Sequence, residues 1–404
     1  MEDWPARLLA ARPAVDAVAR RTPVLSSRTL SERVGGTIAL KAESLQRTGS
    51  FKVRGAAAKL AALGEAGCAA GVVAASAGNH AQGLAAAARA LGVACDVYVP
   101  ADAPITKAEA ARGQGARVHV GGATLEECLV LAHARAEEDG LAFVHPYDDP
   151  DIVAGQASLG TELLEDVPDL AKVVVPVGGG GLAAGIALAV KAAKPDVELV
   201  GVQVSACAPY LASLERGEPV LAESALTIAD GIAVKRPGEL TFAILADRLD
   251  HMAVVDDEET AEAMVLLMER GKLVIEGAGA VGVAALLGGQ VAAAAHGTTV
   301  AVLSGGNVDP GLLLSIARRH ETLAGRRLIV LSRVPDRPGG LAGLLGTVAA
   351  AGGNVVDLSH VREGYDLHVR ETAVELVLET RGREHAQRVL AAMRNEGYAA
   401  QALE

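Results

Sequence analysis

The chain has 404 residues, half of them hydrophobic and only 2% aromatic, with a formal net charge of −12. That length accommodates two or three domains, and the scarcity of rings favours helices packed on sheets, filled by alanine and glycine, over a β-sandwich. The acidic balance argues against nucleic acid or an anionic membrane as partner, the scattered Cys68, Cys95, Cys128 and Cys207 against a disulfide framework or zinc site, and no apolar run reaches bilayer length.

Residues 1–20 read as a charged amphipathic helix, unlike a secretory signal, so a cytoplasmic location is expected. IALKAE (38–43) alternates as a short strand, and SLQRTGSFKVRGA (44–56) turns from loop into helix, with Thr48 or Ser50 placed as N-cap. GVVAASAGNHAQGLAAAARALG (71–92) reads strand, tight turn, helix; ACDVYVP (94–100) is a buried strand. TKAEAARGQGARVHV (106–120) gives helix then strand, and TLEECLVLAHARAEEDG (124–140) another helix. Residues 172–204 repeat the pattern: a β-branched strand, a glycine loop, a helix and a strand. A long helical stretch at 259–273 leads to EGAGAVGVAALLGG (276–289), and TTVAVLSGGNVD (298–309) closes the section as strand and turn. Strands alternating with helices imply right-handed crossovers and a mostly parallel sheet, an α/β fold.

Composition changes at 321–327, a charged linker. Beyond it come a strand at 327–334 and a helix that Asp336 is placed to cap, with Pro338 in its first turn. Strands at 354–362 and 372–381, a helix at 383–397 and a strand at 398–403 follow. The order βαββαβ is ferredoxin-like.

Four loops carry chemistry. Lys52 sits in the first turn of its helix, where the positive end of the macrodipole disfavours an ammonium and so prepares an amine to attack a carbonyl; a merely solvated lysine is the plainer alternative. Gly178, Gly179, Gly180 and Gly181 join a buried strand to a helix, a phosphate cradle of inward backbone N–H groups. A dinucleotide site is the rival, since Gly178, Gly180 and Ala183 fit its spacing, but the next strand ends in Val204 and Ser205 where the acidic ribose partner belongs. SAGNH offers Ser76, Asn79 and the N–H groups of Gly78 and His80 at a second helix start, for a carboxylate or an ordinary cap. Ser304 places a hydroxyl at a third strand end. An aldehyde for Lys52, a phosphate for the glycines and a ring for the polar groups describe pyridoxal phosphate.

Through SLQRTGSFKVRGA, SAGNHAQG, GGGGL and LSGGN, residues 1–320 resemble the second fold type of pyridoxal-phosphate enzymes, and within it the threonine dehydratases (threonine ammonia-lyases). Residues 328–404 resemble an ACT regulatory domain. The resemblance implies a tryptophan synthase β-like fold of two open α/β sheets, with a smaller mobile subdomain at about 44–145. Lys52 would hold the cofactor covalently and then act as base at Cα, with Phe51 flanking the ring, Asn79 on its hydroxyl, Ser304 on its nitrogen and Gly178 to Leu182 on the phosphate. Ser76, Ala77, Gly78, Asn79 and His80 would take the substrate carboxylate. The implied reaction converts L-threonine to 2-oxobutanoate and ammonia, and L-serine to pyruvate, in isoleucine biosynthesis or threonine catabolism. Serine racemases of this type carry a second serine where this chain has Ala77, and a glutamate before TIADG where it has Leu226. Elimination is therefore expected over racemisation, with Asp230 an ordinary turn residue and no metal. Serine racemase or hydroxyaspartate dehydratase of the same fold, and a nicotinamide enzyme using the glycine loop, are the alternatives. An amino-acid effector, isoleucine or valine, would bind near Asp336, Gly353 and Asn354 in a homodimer or homotetramer.

Overall fold

The computed structural model describes residues 2–101, 103, 105–223, 226–361 and 367–403. The chain divides into two compact units, Met1–Asp309 and Pro310–Glu404.

In the first unit, helices α1 (Trp4–Val18) and α2 (Arg28–Val34) accompany strands β1 (Val24–Ser26) and β2 (Thr37–Ala42). The chain then leaves to build a small sheet from β3 (Val72–Ala75), β4 (Cys95–Val99), β5 (Arg117–Val120) and β6 (Ala142–Phe143). Its helices are α3 (Lys52–Gly67), α4 (Asn79–Leu91), α5 (Ile105–Gly113) and α6 (Leu125–Asp139). Helix α7 (Pro150–Asp166) brings the chain back to add β7 (Leu170–Pro176), β8 (Glu198–Val204), β9 (His251–Val255) and β10 (Thr298–Leu303). Helices α8 (Gly181–Ala193), α9 (Pro209–Arg216), α10 (Glu239–Arg248), α11 (Asp257–Leu266) and α12 (Gly277–Leu287) fill the crossovers.

The large sheet runs β1-β2-β10-β7-β8-β9, parallel except for the β1–β2 pair; the small one runs β5-β4-β3-β6 and is parallel throughout. Helices cover such sheets on both faces, so their strands read as unbroken apolar runs. Val173, Val174 and Val175 of β7 and Val300 and Val302 of β10 are accordingly fully buried. Within each sheet the parallel strands share one carboxyl-end rim: β2 leads toward Lys52, β7 into the glycines, β10 into Ser304, and β3 of the small sheet into Ser76.

Neither Thr48 nor Ser50 caps α3. Its N-cap is Phe51, in helical conformation and without a side-chain bond. Ser50 is instead held through its backbone by an antiparallel bridge to Gly305, and Thr48 Oγ1 donates to the Ser50 carbonyl at 3.3 Å, so the threonine hydroxyl serves the loop. The periodicity reading also does not predict α7, whose residues Ile152 to Gly160 are all buried.

The second unit begins with α13 (Pro310–Leu323), which packs on β11 (Arg327–Pro335), so the charged stretch 321–327 contains a helix end, a turn and the first strand residue. Then come α14 (Gly340–Ala350), β12 (Asn354–Val361), β13 (Glu371–Glu379), α15 (Arg383–Asn395) and β14 (Gln401–Leu403). The antiparallel sheet β12-β13-β11-β14 buries Val330, Val334, Val374, Leu376 and Leu378 under Leu344, Val348, Val389 and Met393. Arg362, where the expected strand ends, lies outside the described residues. Asp336 does not cap α14: the N-cap is Gly339, at φ 90, because a turn separates Asp336 from the helix start.

Candidate active site

Phe51, Lys52, Ser76, Ala77, Gly78, Asn79, His80, Gly178, Gly179, Gly180, Gly181, Leu182 and Ser304 all line one cavity of about 590 Å³ at the carboxyl ends of the two sheets of the first unit. The loops from both sheets converge there because parallel strands all deliver their following residues to the same rim. Asp336, Gly353 and Asn354 belong to the other unit. There Gly353 N donates to the Val348 carbonyl at 3.0 Å, and Asn354 Nδ2 to Glu379 at 3.0 Å.

Lys52 opens α3. Its Nζ donates to the Pro146 carbonyl at 2.9 Å and stands 5.1 Å from the centre of the Phe51 ring. Gly83 of α4 lies against the start of α3, where an added Cβ would come within 2.8 Å of the backbone carbon of Lys52. The enclosure removes water from the ammonium and pushes its pKa down to about 8, while the charge of Glu276 pulls the other way. Burial is therefore the leading cause, where the helix field was the cause expected from sequence.

Across the cavity β7 runs into the glycine turn. Gly180 adopts φ 95, a left-handed conformation suited to glycine, and it precedes α8 with no side-chain cap, so the first turn of a thirteen-residue helix presents free N–H groups. The Gly179 carbonyl accepts from Thr241 Oγ1 at 2.6 Å and from Tyr210 Oη at 3.3 Å. Because a trans peptide points its C=O and N–H opposite ways, this aims the Gly180 N–H away from those two hydroxyls. A Cβ on Gly179 would collide with the Tyr147 ring, and one on Gly180 with the Tyr210 hydroxyl. Glycines are thus required both by the packing behind the turn and by the donors in front of it. An uncapped helix start facing a half-buried lysine of lowered pKa fits the phosphate and aldehyde of pyridoxal phosphate.

The second turn follows β3. Ser76 Oγ accepts from Gly78 N at 3.2 Å, and α4 begins at Asn79 with no side-chain cap. Asn79 Nδ2 donates to Glu276 Oε1 at 2.7 Å, and Asn307 Nδ2 donates to Asn79 Oδ1 at 2.7 Å, which fixes the orientation of the amide. The His80 ring lies 2.9 Å from the Val144 carbonyl; burial, with the nearby Lys52 charge, drives its pKa down to about 3, so it is a neutral donor to that carbonyl. Ser304 is buried at the end of β10, and its carbonyl accepts from Phe51 N at 3.2 Å, joining its loop to that of Lys52.

Sequence reasoning missed Glu276, Tyr147 and Asn307. Glu276 precedes α12, is 6% exposed, lines the cavity and has its pKa raised to about 7 by burial and then by the charge of Asp230, against the lowering by its Asn79 bond. Its partner Asn79 is 197 residues away, and no local pattern announces such a pair. Tyr147 belongs to HPYDD, whose Pro146 holds Lys52 while Tyr147 backs the glycines; an aromatic beside a proline between strand and helix was the available signal. Asp230 also lines the cavity and pairs with Lys107, while Lys235 pairs with Glu126 at 2.7 Å. No cluster of three or more metal-binding side chains occurs among the described residues.

The family profile described as "Pyridoxal-phosphate dependent enzyme" matches residues 15–305. An L-threonine ammonia-lyase of Thermotoga maritima is 44% identical over 382 residues, 94% of each chain. Among solved structures, the processed form of threonine deaminase isoform 2 from Solanum lycopersicum superposes with a TM-score of 0.74 at 34% identity, covering 78% of this chain and 92% of its own. Maize serine racemase superposes with a TM-score of 0.74 at 32% identity, covering 79% and 98%.

Proposed function

The chain belongs to the pyridoxal-phosphate-dependent enzymes, and from that premise we propose that it eliminates the hydroxyl and amino groups of L-threonine, giving 2-oxobutanoate and ammonia, with L-serine to pyruvate as a side activity. The nicotinamide alternative falls with family membership. One observation carries the reading: Lys52, with its lowered pKa, and the uncapped start of α8 line the same cavity.

Bound there, pyridoxal phosphate supplies an aldehyde carbon that takes amines covalently and a ring that withdraws electrons from the substrate's Cα. The N–H groups from Gly178 to Leu182 would hold the phosphate, Phe51 would flank the ring, Asn79 would meet its hydroxyl and Ser304 its nitrogen. A neutral hydroxyl at that nitrogen leaves it largely unprotonated, which disfavours a long-lived carbanion and suits prompt loss of a β-hydroxyl. The turn from Ser76 to His80 would orient the substrate carboxylate through the positive end of α4. Lys52 Nζ would then remove the Cα proton. The methyl of Ala77 can donate no proton to the opposite face of Cα, so the reading favours elimination over the racemase alternative.

The purified protein tests this directly. It should be yellow, carry a borohydride-fixable adduct on Lys52, and release oxo acid from L-threonine faster than from L-serine, D-serine or hydroxyaspartate. A Lys52→Ala protein that stays coloured and active would overturn the reading.

Residues 1–320 serve in this reading as the catalytic domain, with residues 44–145 closing over the substrate. The ferredoxin-like sheet of the second unit supports an ACT-like regulatory role, with isoleucine or valine bound near Gly353 and Asn354 in a homodimer or homotetramer. Titration with isoleucine, valine and threonine checks it: unchanged activity and unchanged melting with all three removes the effector.

A further inference from the structure

Lys52 stands at the start of α3 and the phosphate cradle at the start of α8, and α7 packs against both helices. Both contacts bring backbone to backbone. On the α3 side, a Cβ on Gly55 would come within 3.0 Å of the Ile152 carbonyl, and one on Gly155 within 2.6 Å of the Gly55 Cα. On the α8 side, a Cβ on Gly185 would lie 2.6 Å from Ala157 N, and one on Gly160 would lie 3.1 Å from the Ile186 Cα. These glycines set how far apart the helix axes stand. They do not fix how far one helix slides along the next.

A buried charge cluster supplies that second constraint. Arg54, two residues past Lys52 and 0% exposed, donates from Nε and Nη2 to Glu43 at 2.9 and 2.8 Å. On α7 it donates from Nη1 and Nη2 to Glu162 at 2.7 and 3.0 Å, and from Nη1 to Ser158 Oγ at 3.1 Å. Lys41 of β2 completes the set at 2.6 Å from Glu162, so two cations balance two anions with almost no exposure. Buried ion clusters add little net stability over an apolar filling, because desolvation offsets the attraction; what the planar guanidinium fork adds is geometric definition.

We infer that α7 is the spacer that sets the reach between Lys52 and the glycine cradle, and that Arg54 is the positioning residue that locks α3 in register on it. The inference rests on Lys52 being the cofactor lysine and says which residues outside the cavity hold it there. A one-ångström displacement of a reacting group lowers rate by as much as about 10²-fold.

The test compares Arg54→Lys, which keeps the charge and loses the fork, with Gly155→Ala, which pushes α3 off α7. Leu199→Ala, at a fully buried position of β8, serves as a destabilised control matched by melting temperature. The readouts are kcat and KM for L-threonine and, on cofactor-free protein, pyridoxal phosphate affinity and the rate of its borohydride-fixed attachment to Lys52. Both α3–α7 variants should lose about 10²-fold in kcat with KM little changed, and should bind and attach the cofactor more weakly than the control. Equal losses in the control, or undiminished attachment in the variants, would overturn the inference; if Arg54→Lys does not fold, Gly155→Ala decides. An unmodified Lys52 in the unaltered protein would instead defeat the cofactor reading itself.

Discussion

The lowered pKa of Lys52 can be measured without turnover. In the cofactor-free protein the amine should titrate near pH 8 instead of 10.5. At pH 7.5 a group of pKa about 8 is roughly one-quarter neutral, against roughly one part in a thousand at 10.5, an increase of a few hundredfold in nucleophile. Burial is the first cause and the Glu276 charge opposes it, so Glu276→Gln should move the midpoint lower still. Glu276 itself titrates near 7, so the difference between the two proteins should open as pH rises through that value and Glu276 acquires its charge. The folded lysine sheds its proton earlier than the unfolded one, so the unfolded chain binds more protons between about pH 8 and 10.5 and stability should rise with pH across that window. The assay is the pH dependence of Lys52 modification by an amine reagent, read by peptide mass spectrometry, with melting temperatures alongside. A midpoint above 10, or an upward move in Glu276→Gln, would refute the argument that enclosure sets the reactivity of this amine.

Gly179→Ala should force the Tyr147 ring aside, at about 1–3 kcal/mol of overpacking, and lower cofactor affinity in a titration of the cofactor-free protein. Ala77→Ser should give the opposite face of Cα a hydroxyl, so that D-serine formed from L-serine becomes detectable by chiral chromatography. Lys235→Ala breaks an exposed pair with Glu126 across the cavity mouth; melting should change by less than about 1 kcal/mol, while KM for threonine rises and loses part of its salt dependence.

Much of the first unit was legible because its signals are local. A β-branched strand running into Gly178 and on into a helix declares both the crossover and the anion-binding turn, SAGN repeats the message at a second strand end, and SFK marks a loop turning into a helix. Each needs only a dozen residues to be read. The two failed caps show the limit of local rules. Thr48 and Ser50 suit an N-cap in isolation, yet the bridge from Ser50 to Gly305 holds that residue in an extended pairing. Asp336 and Pro338 suit a helix start, yet Gly339 at φ 90 turns the chain first. Glu276 was beyond reach, since its function depends on a contact with Asn79 that only the folded chain makes.

Helix α7 was illegible for a different reason, and it explains the composition. A helix is read from the contrast between an apolar stripe and a polar face. The stretch from Ile152 to Gly160 is buried without interruption and mixes glycine, alanine, serine and glutamine with valine and leucine, so its periodicity is weak and only the Asp149 cap and Pro150 mark its start. Its small residues are there because α3 and α8 approach it at backbone distance, which leaves no volume for rings. Some of the few aromatics are spent where a rigid wall is needed: Phe51 and Tyr147 line the cavity, and Tyr210 sits behind Gly180 and against Phe242. The low aromatic content and the geometry of the site are therefore one fact. A closely packed three-helix layer fixes the reach from lysine to cradle, and the rings it excludes are used to shape the space between them.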